Sequence, residues 1–450
     1  MITRPTLYPR IVDSAAARPA LRCAILLLAA PTLALAASVD DVYLVKAGAY
    51  YSDNIGRAPS NGQAATTLVL GTQLALADDT GPLQGKIAGD VSLNDYLGTD
   101  YSTKLVGSMV GNGSWQMVPH LLSWNGDFSF GQVRRDPLQP AQPGNIENVY
   151  TFNTGPELHL RLGATGEAEL QAFYASTIYQ DRPFNNHDVG GRLVLSRLVS
   201  PHFRVGIGGT ADRNTYEDAS ALATPELDHR EAFVRLGISG VRTTLNLDGG
   251  VGRLRGGTID SQETIGRFTA TRRLTPYVSA HASYSRDYSN SGTPANMATV
   301  QNPGGAVGDL TLLTAGPRLV DSADVGLTVE ALLTKVEIGA GHTREKSLLG
   351  LFDSRLSDGV SVAVTRRLGA RSDAGAFASF TREEITPAIL QAQERAIGVA
   401  ASISLGGSLG LDGVLERRMR SGGVNATPYN ETVFGLYLRY GKADKFHLPR

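Results

Sequence analysis

The 450-residue chain has a single cysteine, Cys23, and that residue lies in an apolar segment near the N-terminus. Positions 37–450 therefore carry no thiol, which excludes a disulfide framework or a cysteine metal site there. Charge of one sign is also missing, with 42 Lys and Arg against 43 Asp and Glu. Residues 1–36 hold four Arg and one Asp, so the remainder has 38 basic against 42 acidic side chains, a net charge of −4. That balance excludes a strongly basic nucleic-acid binder. Beyond residue 36 no apolar stretch reaches the ~20 residues of a spanning helix, so any membrane crossing must be made by strands.

What the N-terminus does have is Arg4, Arg10, Arg18 and Arg22 ahead of the apolar run Cys23–Ala36, which ends in Ala34-Leu35-Ala36. Positive flank, short apolar core and small-residue end are the parts of a secretory signal peptide, expected to be cut after Ala36. Cys23 opens the core and would leave with it.

After residue 40 the dominant signal is a period of two. Leu122, Trp124, Phe128 and Phe130 fall on one side of a strand, with Ser123, Asn125, Asp127 and Ser129 on the other. Val241, Leu245, Leu247 and Val251 alternate with Arg242, Thr244, Asn246 and Asp248, and Ile397, Val399, Ala401, Ile403 and Leu405 with small partners. Mean hydropathy is −0.10, because apolar residues are dispersed in alternation instead of gathered in runs.

The gaps between these segments alternate in length. One set is tight: GATG at 163, SPH at 200, SGV at 239, TPY at 275, GARS at 369 and GGS at 406. The other is long and polar, beginning near 134, 216, 289 and 344. Short turns at one rim and long loops at the other define the expected fold: all-β, a single antiparallel up-and-down transmembrane β-barrel over residues 37–450, with about 20 strands (roughly 16 to 20). Short turns would face the periplasm and long loops the exterior of a Gram-negative outer membrane. The three Arg-Leu corners at Arg197, Arg273 and Arg367 lie 76 and 94 residues apart, so the fixed period of a solenoid is missing. Each would end a descending strand at the periplasmic rim.

In the last segment, ETVFGLYLRY, Phe434, Leu436, Leu438 and Tyr440 share a face. Gly435, Leu438 and Tyr440 have the spacing of the C-terminal signal read by outer-membrane assembly machinery, although GKADKFHLPR follows where such chains usually stop. AYYSDNIGR after the first strand, WQMVPHLLSW with Trp115, Pro119 and Trp124, YTFNTGPELHLRLG from 150, and the Arg-Leu corners preceding Pro201 and Pro276 together resemble the β-barrel porin type 2 family. Its members are associated with exopolysaccharide loci and with the PEP-CTERM sorting system. The resemblance implies an outer-membrane passage for exopolysaccharide and brings no catalytic residues with it.

With the apolar face turned to lipid, the opposite parity lines the lumen. Arg192, Arg204, Arg235, Arg242 and Arg267 then form a basic wall, and Glu330, Glu337, Asp412 and Glu416 an acidic one. A basic wall would guide an anionic or hydroxyl-rich glycan; alternatively the arginines pair with Glu231 and Asp248 and brace the barrel. Trp124, Tyr284, Tyr288, Phe434 and Tyr440 read as an interfacial girdle.

The eight histidines are scattered singly, and no His-Glu-x-x-His or His-x-His spacing occurs, so an enzyme is not expected. Neither is a cofactor. The expected partners are outer-membrane lipid, the assembly machinery, exopolysaccharide and periplasmic export components, with the protein a monomer that binds no nucleic acid. A general or small-solute porin and a non-conducting receptor or scaffold are the alternatives. The long loops suit either folding inward as a constriction or facing outward for contact.

Overall fold

The computed structural model describes residues 42–136, 139–181, 185–217, 226–290, 317–348, 354–386, 390–423 and 426–442. The leader and its cleavage site, most of the loop after Ser289 and the tail after Lys442 lie outside the described residues. Twenty strands follow one another in chain order. The first five are β1 (Val42–Ser52), β2 (Ala65–Asp78), β3 (Leu83–Leu97), β4 (Lys104–Val118) and β5 (Leu122–Arg134). Next come β6 (Ile146–Leu162), β7 (Gly166–Tyr179), β8 (Asn186–Ser200), β9 (Phe203–Tyr216) and β10 (Glu226–Ser239). The second half holds β11 (Thr243–Gly256), β12 (Ile259–Thr275), β13 (Val278–Asn290), β14 (Pro317–Glu330) and β15 (Thr334–Ser347). It ends with β16 (Ser354–Arg367), β17 (Ser372–Thr386), β18 (Leu390–Gly406), β19 (Leu409–Gly422) and β20 (Tyr429–Lys442). Each pairs antiparallel with its neighbours, and β20 pairs with β1 from Tyr43↔Lys442 to Ser52↔Val433, closing an outer-membrane-type barrel.

Every connection from an even to an odd strand has two to four residues, whereas those from odd to even run up to the 26 residues between β13 and β14. The Arg-Leu corners sit where the alternation places them, at the ends of β8, β12 and β16. The ladder shifts register just before Pro119, Pro201 and Pro276. A proline cannot donate to a ladder, and the extra bulge residue twists the strand into the turn that follows. One expectation fails here: the long loop near 344 shrinks to residues 348–353, because β15 and β16 extend to Ser347 and Ser354. Glu345 and Arg355 stand opposite one another in that extension, so polar residues read as loop belong to strand ends.

Residues directly opposite in a ladder share a face. The outward rows carry Val45, Leu70, Leu436, Val360 and Ile397, all exposed as a lipid-facing band requires. Aromatic rings bound the band: Tyr43, Trp115, Trp124 and Tyr440 toward the short turns, Tyr51, Tyr174, Tyr284 and Phe434 toward the loops. Tyr43 and Tyr51 on β1 are about 26 Å apart along the strand, about 20 Å once a tilt near 40° is taken out, close to the apolar height of a membrane barrel. Tyr288 departs from the expected girdle. It is buried, packs with Leu254 and Leu319, and donates its hydroxyl hydrogen to Ser261.

Candidate functional site

The inward rows are polar, and their charges stand beside charges of opposite sign. Arg235 donates to both oxygens of Asp248 at 2.8 and 2.9 Å, Arg192 Nη2 lies 3.5 Å from the same carboxylate, and Arg267 bridges Glu231 and Asp287. Arg204, more exposed, pairs with Glu167 at 2.9 Å. The arginines of the expected basic wall are therefore neutralised in place. Arg242 is displaced from that wall altogether: it lies in the 240–242 turn, because β10 ends at Ser239. The acidic set is interleaved likewise. Glu337 accepts from Lys335 at 2.9 Å, Asp412 from Arg439 at 2.8 Å and Glu416 from Arg418 at 2.7 Å. Glu330 closes β14 opposite Lys335, at the short-turn rim. Neither wall presents unbalanced charge.

The inward charges fall into two environments. Toward the short turns Arg204 and Glu167 are hydrated while Asp412 and Arg439 are buried, and toward the loops Arg134, Arg355, Glu383, Arg420 and Glu431 are all buried. Arg134, the last residue of β5, donates Nη2 to Glu383 Oε2 of β17 at 2.8 Å. The two strands are eight places apart around the wall by the shorter way. A 20-stranded barrel with strands ~4.8 Å apart and tilted ~40° is about 40 Å across, far beyond the reach of two side chains. The β5–β6 end must therefore lean over the lumen.

The ladder shows where it bends. Pairing of β4 with β5 stops at Met109↔Phe130, while Gly131–Arg134 stays paired with β6. Across the resulting gap the Gly107 amide donates to Gln132 Oε1 at 2.9 Å, and Lys104 Nζ to the Ile146 carbonyl at 2.9 Å. Gly107, on the β4 side of the gap, has φ +129°, and a Cβ there would fall 2.0 Å from the Asp90 carbonyl, so only glycine fits at this point. Beyond it, loop 135–145 is stiffened by Asn145, which accepts from the Asp136 amide and donates to the carbonyls of Asp136 and Pro140. Arg134 Nη1 also donates to the Gln139 carbonyl. Of the two fates open to this loop, the described residues show the inward one.

The lid rests on a row of inward charges, one per strand from β15 to β19: Glu345, Arg355, Glu383, Glu394 and Arg420. Glu383 Oε1 accepts from Arg355 Nε at 2.8 Å and Nη2 at 2.7 Å, while its Oε2 takes Arg134. Arg420 Nε lies 3.4 Å from Glu394 Oε1 without hydrogen-bond geometry. None of its three guanidinium nitrogens has a hydrogen-bond partner among the described residues.

AYYSDNIGR, whose role the sequence alone did not disclose, clasps the first-to-last seam. Ser52 Oγ and Arg57 Nε donate to Glu431 at 2.7 and 3.1 Å, Asn54 Nδ2 donates to the Asn430 carbonyl, and Asp53 accepts from the Thr432 amide. Arg57 also lies over the Tyr429 ring. Within the C-terminal signal, Leu438 and Tyr440 face outward, while Gly435 has inward parity and lies against Tyr437, whose hydroxyl would be 2.7 Å from a Cβ.

Among the described residues, two clusters could in principle hold a cation. Glu157 and His159 on β6 and Glu169 on β7 bring one donor atom each within 4.8 Å of the others, but Arg235 already lies 3.7 Å from Glu169. His229, Glu231 and Asp287 meet likewise, with the Arg267 guanidinium filling the place of the ion. Gly406-Gly407-Ser408-Leu409-Gly410 matches Gly-x-Ser-x-Gly by letter. It forms the β18–β19 turn with positive φ at both first glycines, not the strand-to-helix elbow that exposes a nucleophile.

No family model and no curated protein matches the chain. Among solved structures, the barrel is similar to the FrpB iron transporter from Neisseria meningitidis (F3-3 variant), at 10% identity and TM-score 0.40 over 89% of this chain and 82% of that one. It is similar to the siderophore receptor PirA from Acinetobacter baumannii at 9% identity and TM-score 0.43, over 90% and 81%. The ferric citrate transporter FecA in its unliganded form gives 10% identity and TM-score 0.40, over 90% and 79%. Likenesses this slight carry no functional information.

Proposed function

We propose that the chain is a gated outer-membrane conduit for an exopolysaccharide, a member of the porin type 2 family it resembles, which receives polymer from periplasmic export components. The observation that carries this reading is the lid: a charge-balanced polar lumen crossed on its loop side by the β5–β6 end, latched over the bore through Arg134 and Glu383. A polymer with many hydroxyl groups slides along a wall whose charges are already paired, since no single site holds it. A wide pore for intermittent cargo also has to stay shut between transits.

Liposome swelling with the refolded barrel tests this. Vesicles carrying the native chain should stay tight to neutral oligosaccharides, and those carrying Glu383→Gln should admit them. Rapid swelling with the native chain would count against a gated conduit.

A further inference from the structure

Glu383 occupies a setting that resembles a ligand site more than a structural pair. One carboxylate receives Arg355 on one oxygen and Arg134 on the other, at 2.7 to 2.8 Å. Arg420, its side chain fully buried, has Glu394 as ion-pair partner at 3.4 Å without hydrogen-bond geometry and stands in electrostatic reach of Glu383 and Arg134, and its guanidinium nitrogens make no hydrogen bond among the described residues. A buried guanidinium with unused donors is costly, and such donors are retained where an acceptor arrives from elsewhere. Planar forks of this kind match carboxylates in paired hydrogen bonds.

We infer that Arg134, Arg355 and Arg420 form a carboxylate-binding subsite in which Glu383 is the resident stand-in, and that the carboxylate of an acidic sugar opens the lid by displacing it. The inference rests on the conduit reading and deepens it by assigning the cargo to uronic-acid-type glycans. When thermal opening of the lid uncovers Arg420, an incoming carboxylate takes its free donors and competes for Arg355. Glu383 is released to water, Arg134 loses its partner on the far wall, and the β5–β6 end swings about the Phe130–Gly131 step where its pairing with β4 ends. No bond is made or broken; the ligand prefers the open state because only there can it reach the arginines.

Planar-bilayer recording of the refolded full barrel, with oligogalacturonate and with maltodextrin of equal length, tests the inference. Oligogalacturonate should raise open probability at least about tenfold, the shift that a tenfold preference for a rare open state produces, while maltodextrin should not. Arg420→Ala should abolish the response, and Arg420→Lys, which keeps the charge but loses the fork, should restore little of it. An equal response to the two sugars would overturn the carboxylate subsite and leave the conduit standing. A Glu383→Gln channel that never conducts, with or without sugar, despite heat-modifiable migration showing a folded barrel, would overturn the conduit and the subsite with it. If Arg420→Ala does not fold, the comparison of the two sugars on the native chain still decides.

Discussion

The two ends of the lumen use the same pair chemistry to opposite effect. Near the short turns Arg204 and Glu167 keep side-chain exposures of 50% and 35%, whereas under the lid Arg134 and Glu383 keep 5% and 8%. A hydrated pair of this kind contributes roughly 0 to 1 kcal/mol, and its loss is absorbed by water. A buried pair is poised differently: removing one partner strands the other charge, at about 3 to 5 kcal/mol. What the contrast teaches is that pairing alone does not distinguish a brace from a latch; the water around it does. The same arginine–carboxylate motif lines a passage at one end and shuts it at the other.

Four substitutions would break or sharpen this contrast. The largest effect belongs to Glu383→Gln, which leaves Arg134 and Arg355 facing an amide; the lid should lose about 3 to 5 kcal/mol, read as a fall in the denaturant midpoint together with an open channel. Gly107→Ala is strained, because a side chain rarely adopts φ +129° and its Cβ would meet the Asp90 carbonyl. It should cost about 1 to 3 kcal/mol and leave the β5–β6 end protease-sensitive while the rest of the barrel stays resistant. Leu70→Arg, on the outward row, should cost about 2 to 4 kcal/mol in lipid vesicles if it lies near the bilayer midplane, and an effect near zero would mean the faces are assigned the wrong way round. Arg204→Ala should change stability by less than about 1 kcal/mol. A loss there as large as that of Glu383→Gln would erase the difference between the two ends.

Much of the barrel could be read from the residues because a strand between lipid and water writes its faces in alternate letters. The turn asymmetry, the strand number near 20, and the corners at Arg197, Arg273 and Arg367 follow from that alternation and from where proline can stand. The lid could not be read in the same way. Arg134 and Glu383 are 249 positions apart and meet only because the β4–β5 ladder stops at Phe130. Parity places Arg192, Arg235 and Arg267 inside, and the bracing alternative with Glu231 and Asp248 is the one their ion pairs follow; what the alternation does not give is which arginine reaches which carboxylate, as Arg192 does with Asp248 three strands away. Tyr288 was misassigned for a related reason. Pairing of β12 with β13 ends at Gly266↔Arg286, so Tyr288 has no β12 residue beside it, and its ring packs in the cluster with Leu254 and Leu319. The seam clasp had a signal of its own, since the polar run Ser52-Asp53-Asn54 directly after a strand has side chains suited to capping a neighbouring strand's free backbone groups.

The most direct test of a latched lumen is single-channel conductance of the native chain beside Arg134→Ala and Glu383→Gln in planar bilayers, without sugar. The native channel should be closed for most of the record, and both variants should open to the same large conductance, since each removes one end of one bridge. A native channel that is stably open at the conductance of the variants would contradict the latch.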